Sequence, residues 1–296
     1  MPPSANGHAA GIAIAGAGPV AQSLGRALEE CGIPIRCIAS RDLNHARQAA
    51  AFIGKGVAAV SYDQLPLMAS HVIVAVTDRG IAPVAEELAA AKGSLRIALH
   101  TCGSYGPELL APLRAAGVSC GTLHPLQSIR DPTRGAAAFR GVSFATSGDV
   151  EALIWAQEIA TTLGGQVLHI RSEAHHLYHA AAVMASNYVA ALLDSAEQLL
   201  IMAGVPKADA LRALAPLTRA SVENVIGLGA VDALTGPVVR GDAATVAEHV
   251  RAIEDADPSI ASLYRAAGVH ALGMAHKRGL GHEEAEAVRQ ALEGRR

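Results

Sequence analysis

Three groups of residues in this chain have the types and spacing to do chemistry. The first is Gly16-Ala-Gly-Pro-Val-Ala21, a G-x-G-x-x-A run directly after the apolar stretch 12–15. Gly16 permits a tight strand-to-helix turn, and Gly18 lets a pyrophosphate approach the backbone without meeting a Cβ. Ala21 keeps the helix close to the strand, and Pro19 and Val20 fall in its first turn, where free N–H groups face an anion. The pattern predicts a dinucleotide site. The second group is Ser40-Arg41, at the end of the next apolar run. An NAD-specific site usually carries Asp or Glu there for the ribose 2′-hydroxyl. A hydroxyl and a guanidinium instead suit a 2′-phosphate, so NADP is the expected cofactor. The plainer alternative is that Arg41 only starts a helix that Asp42 caps.

The third group is polar residues at later strand ends and on one helix. Thr77-Asp78, His100-Thr-Cys-Gly-Ser104 and His124-Pro-Leu-Gln-Ser128 follow apolar runs, on the carboxyl edge where ligands of open α/β sheets bind. Thr77 and Thr101 are expected at the cofactor, and Asp78 is expected to cap the helix after it. His124 and Ser104 are candidate catalytic residues, with structural hydrogen bonding as the competing role for each histidine. Cys102 lacks an evident activating partner. Farther on, the apolar segment 172–203 carries His175, His176, Tyr178, His179, Ser186, Asn187 and Tyr188. A buried helix has few reasons to hold polar side chains. His179 is therefore a candidate proton donor, and Asn187 a candidate for holding a substrate carboxylate. The alternative is that both satisfy neighbouring backbone. His175 and His179 have the i, i+4 spacing of zinc helices, but without a third ligand no metal is expected.

The elements around these groups alternate as in a doubly wound α/β fold. Strands are expected at 12–15, 33–39, 57–60, 72–76, 95–100, 118–123, 142–145 and 166–170, with helices between them, among them 107–116. From Ser172 the strand signals stop. One long helix is predicted over 172–203, with Ser172 as N-cap, and further helices over 206–213, 216–228, 243–254, 258–277 and 283–292. The division is a Rossmann domain over 1–170 and an all-helical substrate and dimerisation domain over 171–296. The long helix is apolar on nearly every face, which predicts burial in its domain or in a dimer interface. The segment 233–242 breaks the helical pattern, and Asp242 is expected to cap the helix that follows.

Composition narrows the function. The chain has 296 residues, of which 51% are hydrophobic and 17% charged, so it is globular and can bury a core. A net charge of −3 shows no basic excess and argues against a nucleic-acid partner. Cys31, Cys37, Cys102 and Cys120 form no CxxC, as expected of reduced thiols in the cytoplasm. Residues 1–10 lack the features of a signal peptide, and no apolar run is long enough to span a membrane.

These stretches, together with Tyr178-His-Ala-Ala-Ala182 through Asn187 and Leu234-Thr-Gly-Pro-Val-Val-Arg-Gly-Asp242, resemble a little-characterised group of bacterial Rossmann-type oxidoreductase-like proteins. Their helical C-terminal domain has no assigned function. More distantly, the architecture is similar to ketopantoate reductases, β-hydroxyacid dehydrogenases and pyrroline-carboxylate reductases. The resemblance implies hydride transfer between NADP and a small carboxylate-bearing keto or imine substrate, with a ketopantoate-like 2-keto acid as the first choice. It also implies a homodimer formed through the helical domain. β-Hydroxyacid dehydrogenases place a catalytic Lys one turn before an Asn on the long helix. Here Val183 stands there, and no Lys occurs between Lys92 and Lys207. Any proton must come from His179, His124, Tyr178, Ser104 or water, or the substrate must be an imine that is already protonated. A non-catalytic NADP(H)-binding sensor is the alternative from another class.

Overall fold

The computed structural model describes residues 11–294, which divide into two compact units at Ser186/Asn187. The first unit begins with β1 (Ile12–Ala15), α1 (Pro19–Glu30), β2 (Ile35–Ala39), α2 (Leu43–Ile53), β3 (Ala58–Val60) and the short α3 (Leu65–Met68). It continues with β4 (His71–Val74), α4 (Asp78–Ala90), β5 (Ile97–His100), α5 (Ala111–Ala115) and β6 (Ser119–Thr122). These strands form one parallel sheet in the order β3-β2-β1-β4-β5-β6. The strands are apolar almost throughout because helices cover both faces. On one face Ile14, Leu24, Leu28, Ile38, Ile53, Ile73 and Leu99 are buried together; on the other Val72, Val74, Ile81, Leu88 and Leu113 are.

The order reverses between β1 and β4, and there two backbone segments approach closely. Gly16 has φ +126°, and a Cβ on it would lie 2.1 Å from the Ala75 carbonyl oxygen. Only glycine meets both demands. Its N–H donates to the Ala39 carbonyl at 2.8 Å, and the Ala75 N–H donates to Ala15 at 2.7 Å, so the turn is tied to β2 and β4.

A second, three-stranded sheet follows: β7 (His124–Pro125), β8 (Ser143–Thr146) and β9 (Gln166–His169), with α6 (Val150–Thr162) between β8 and β9. β7 runs antiparallel to β8, and β9 parallel to it. Sequence periodicity missed β7, since two residues carry no period. Phe139 and Phe144 stack with ring centroids 5.8 Å apart, both fully buried among the apolar residues under α1 and α6. The unit closes with α7 (His175–Ala185).

The second unit holds α8 (Asn187–Met202), α9 (Lys207–Leu228), α10 (Ala230–Ala233), α11 (Ala243–Ala256), α12 (Pro258–Lys277) and α13 (His282–Glu293). Val246, Val250, Leu272, Val288 and Leu292 form its core. Asp242 caps α11 as expected, accepting from the Thr245 N–H at 3.1 Å. The interrupting segment after α10 contains turns and no further helix.

Several expectations need correction. The helix predicted over 172–203 is broken at Ser186, whose φ of −128° and ψ of −72° lie outside the helical region. The Ser186 hydroxyl donates to the Ala182 carbonyl at 2.7 Å, while its backbone N–H turns to Val183, one residue closer. A side chain thus competes for the carbonyl that the helix would use. Ser172 lies inside a short 3₁₀ turn rather than capping a helix, and Asp78 is the first helical residue of α4, behind an N-cap at Thr77. The helix expected over 107–116 is a 3₁₀ turn followed by α5. Pro216, expected to start a helix, lies inside α9; the lost hydrogen bond costs roughly 3 kcal/mol and does not end the helix. The apolar segment is not buried within the chain either, because α8 has no buried residue and Leu177 and Met184 of α7 are exposed. The sequence-based domain boundary at 170/171 precedes the Ser186/Asn187 division by the length of α7 and the turn before it.

Phe144→Ala should remove roughly 3–5 kcal/mol of stability, read from the urea midpoint of the full chain. A loss below about 1 kcal/mol would mean that the second sheet is not part of the first unit's core.

Candidate functional site

The Gly16 turn opens a cleft of about 630 Å3 at the carboxyl edge of the sheet. Gly16, Gly18, Pro19, Val20, Ser40, Arg41, Thr77 and Thr101 all line it, so one pocket gathers every residue expected at the cofactor. The lining fits a dinucleotide for three reasons. Gly18 has nothing within 4 Å of where a Cβ would stand, so its backbone faces open space. No side chain caps α1, and Pro19 sits at its start, so the first-turn N–H groups remain available to an anion. Arg41 supplies an exposed guanidinium at the end of β2. Asp42 does cap α2, accepting from the Asn44 N–H at 2.8 Å, so the capping role and the pocket role fall to neighbouring residues.

Tyr62, Arg79 and Glu87 also line the cleft and were not foreseen. Burial pushes the Tyr62 hydroxyl pKa up, while the Arg41 guanidinium and backbone N–H act in the opposite direction. Tyr62 follows β3 in a 3₁₀ turn opened by the Ser61–Gln64 capping box. Nothing in the sequence around Tyr62 indicates that its ring returns to the end of β2.

Beyond Thr101 the edge carries a wall of histidines, brought together by β5, β7 and α7. Hydrogen bonding sorts them into two kinds. His100, fully buried, donates from Nε2 to the Gly106 carbonyl at 2.8 Å and accepts the Cys102 N–H at Nδ1 at 3.2 Å. His175, also buried, donates from Nδ1 to the Gly103 carbonyl at 3.4 Å and accepts from the Ser147 hydroxyl at Nε2 at 2.7 Å. Ser147 is held in turn by Thr122, which accepts its N–H at 2.9 Å. Both rings therefore have both nitrogens occupied and act structurally. His175 is thus unavailable as a metal ligand beside His179, and no group of three metal-binding side chains occurs among the described residues.

His124 and His179 differ. Their rings meet edge to face with centroids 5.9 Å apart. His124 Nδ1 pairs with the Tyr178 hydroxyl at 2.7 Å. His179 Nδ1 is buried with no hydrogen-bond partner among the described residues. Both pack over Gly103, where a Cβ would come within 2.8 Å of His179 Nδ1 and 2.9 Å of His124 Nε2. The absence of a side chain at Gly103 lets the two nitrogens converge above the loop. Ser104 lies half-buried on the same loop. Asn187 opens α8 in the second unit.

Burial lowers the His124 pKa to about 4, with the neighbouring His179 adding to the effect, and burial alone is the main cause of a similar drop to about 4 at His100. Both rings are neutral at physiological pH. Burial, with the Asp78 carboxylate adding to it, raises the Cys102 thiol to about 11, so this thiol is not a nucleophile near neutrality.

Residues 11–99 match the family described as NADP oxidoreductase, coenzyme F420-dependent, and residues 142–271 match a domain of unknown function, DUF2520. No curated protein matches the chain. A Bacteroides fragilis protein designated an NADP oxidoreductase is 25% identical, with a TM-score of 0.73 over 88% of this chain and 97% of that one. A protein from Thermotoga maritima is 25% identical, with a TM-score of 0.71 over 90% and 99%. A Plasmodium falciparum pyrroline carboxylate reductase solved with NADP bound shares the fold at 13% identity, with a TM-score of 0.59 over 90% and 99%. The matches bear out the resemblance to Rossmann-type oxidoreductases with a C-terminal domain of unassigned function, and the expectation of an oxidoreductase with NADP as cofactor.

The buried neutral histidines predict a pH dependence of stability. The His100 pKa is about 4 in the folded chain against 6.5 for the free side chain. Between these values the unfolded chain binds the proton and the folded chain does not. Stability is therefore fully present above pH 6.5 and falls as the pH drops toward 4, by up to about 3 kcal/mol for this one group. His100→Gln cannot titrate and should flatten that part of the slope in urea midpoints measured across the window. An unchanged slope would show that His100 is not held neutral by the fold.

Proposed function

We propose that this protein is an NADP-dependent reductase that transfers a hydride to the carbonyl carbon of a small carboxylate-bearing substrate, with 2-keto acids as the first class. The observation that carries this reading is the adjacency of the glycine cleft to two histidines with unused nitrogens, through the continuous edge Thr101 to Ser104. NADPH, when bound, supplies the hydride. The α1 N-terminus and the Gly18 backbone hold the pyrophosphate, Ser40 and Arg41 hold the 2′-phosphate, and Thr77 and Thr101 border the ribose and nicotinamide. His124 and His179 face the substrate, with Ser104 beside them. The family match over 11–99 ends before the wall begins at His100, so it speaks for the nucleotide cleft and not for the other reactant.

A second reading has a specific observation in its favour. His124 is lowered to about 4 and burial raises the Tyr178 hydroxyl to about 12, so neither member of this pair is a strong acid near neutrality. An imine that arrives already protonated needs no such acid, so cyclic imines are the second substrate class.

Leu192 and Met202 on α8 and Leu217, Ile226 and Leu228 on α9 are large apolar side chains exposed on a single chain. A second copy of the chain is the occupant we assign to this surface, as a twofold dimer. No helix among the described residues is long and apolar enough to cross a membrane. All four cysteines are free, which suits the cytoplasm.

Arg41→Ala should weaken NADPH binding by roughly 1–3 kcal/mol and leave NADH binding nearly unchanged in fluorescence titrations. Equal losses for the two nucleotides would remove Arg41 from the 2′-phosphate site. Wild-type protein should oxidise NADPH with at least one member of a panel of 2-keto acids and cyclic imines, at a rate proportional to enzyme. Binding of NADPH with no turnover across the panel would favour a nucleotide sensor instead. Light scattering at micromolar concentration should return twice the chain mass, and a monomer would reject the dimer.

A further inference from the structure

The four rings of the histidine wall are engaged unequally. His100 and His175 each spend both nitrogens on the protein, His179 keeps a buried unpaired Nδ1, and His124 is half engaged, with Nδ1 bonded to Tyr178 and Nε2 turned to the Gly103 loop. A neutral imidazole has two tautomers, and the bond at one nitrogen determines what the other can do. The Tyr178 hydroxyl has no other partner among the described residues, and an O–H···N bond satisfies both groups. The reverse assignment, with His124 Nδ1–H donating, would leave the phenol proton unused in a half-buried site, and an unmade bond there is costly.

We propose that Tyr178 fixes His124 as the tautomer protonated at Nε2, and that this N–H donates to the substrate's carbonyl oxygen. The proposal rests on the reductase reading above and adds a positioning residue to it. A neutral N–H donor aimed at an oxygen that gains negative charge stabilises the transition state without a cationic acid. As the hydride reaches the carbonyl carbon, the Nε2 proton passes to the oxygen and the Tyr178 proton passes to Nδ1. His124 stays neutral throughout; the Tyr178 phenolate then takes its proton back from Nδ1 while Nε2 takes one from water, which restores the Nε2–H tautomer. Substrate gains one hydride and one proton, and the chain returns to its starting state. The groups facing His124 are Tyr178, His175 and His179 from α7, His100 from β5 and Asp78 from the start of α4. Burial first and then the three histidines disfavour a second proton on the ring, while the Asp78 carboxylate favours one and is outweighed.

The arrangement also favours a carbonyl over a cationic imine, because an N–H donor at the reacting atom opposes a positive charge there.

The test is a histidine tautomer measurement by two-bond 1H–15N correlation spectra on the full chain near neutral pH, paired with kinetics. The wild-type protein should show His124 as the neutral Nε2–H form. Tyr178→Phe should give a mixture of tautomers, a kcat for 2-keto acids lower by roughly 10- to 100-fold, and a KM for NADPH within about twofold of wild type. A wild-type Nδ1–H tautomer would overturn the proposal, and needs no variant to fold. An unchanged tautomer in Tyr178→Phe would overturn the positioning role, and a mixed tautomer with unchanged kcat would overturn the donor role. If no substrate in the panel turns over, the reductase reading and the donor role fail together, while the spectra still decide what Tyr178 does to His124.

Discussion

The whole cofactor cleft depends on the contact between Gly16 and the Ala75 carbonyl. At the point where the strand order reverses, the chain leaving β1 must pass against the end of β4 before it starts α1. A Cβ at Gly16 would lie 2.1 Å from that carbonyl oxygen, and the local φ of +126° excludes other side chains as well. Glycine there lets β1 and β4 pair directly and brings the start of α1 over the sheet edge. It also points the uncapped N–H groups of α1 into the space that Arg41, Thr77 and Thr101 border. Without that approach the same polar residues would line separate loops.

The histidine wall follows a related rule. Gly103 plays there the part that Gly16 plays in the cleft, since a side chain on it would occupy the place where His124 and His179 meet. His100 and His175 hold the loops and α7 in place through both nitrogens, whereas His124 and His179 each keep a ring nitrogen without a hydrogen-bond partner among the described residues. His175 fastens the start of α7 to Ser147 on one side and to the Gly103 carbonyl on the other. That anchor presents Tyr178 and His179, one turn further along, toward His124. Burial keeps His100 and His124 neutral near neutral pH.

The sheet and the cleft were legible in the sequence because their signals are local. Buried parallel strands read as short apolar runs, and Gly16, Gly18, Ser40, Arg41, Thr77 and Thr101 each follow such a run directly. All six line one pocket. Tyr62 was not legible, because its place depends on a 3₁₀ turn bringing it back to the end of β2. Nor was the division of labour among the histidines, since it depends on which nitrogen meets which carbonyl across β5, β7 and α7. The long helix was misread at Ser186 for a different reason. Its apolar pattern continues through the break, and only the serine's bond to Ala182 reveals the interruption. The same pattern predicts burial in the domain or in a dimer interface; within one chain Leu177, Met184, Leu192 and Met202 are exposed and Leu193 and Leu199 half-buried.

The central claim is that the glycine cleft and the histidine wall are two halves of one active site. A crystal structure of the protein soaked with NADPH tests it most directly, through the position of nicotinamide C4. The account predicts the pyrophosphate at the start of α1, the 2′-phosphate at Ser40 and Arg41, and C4 facing the imidazoles of His124 and His179. A nucleotide bound in the cleft with its nicotinamide directed away from both rings would contradict it.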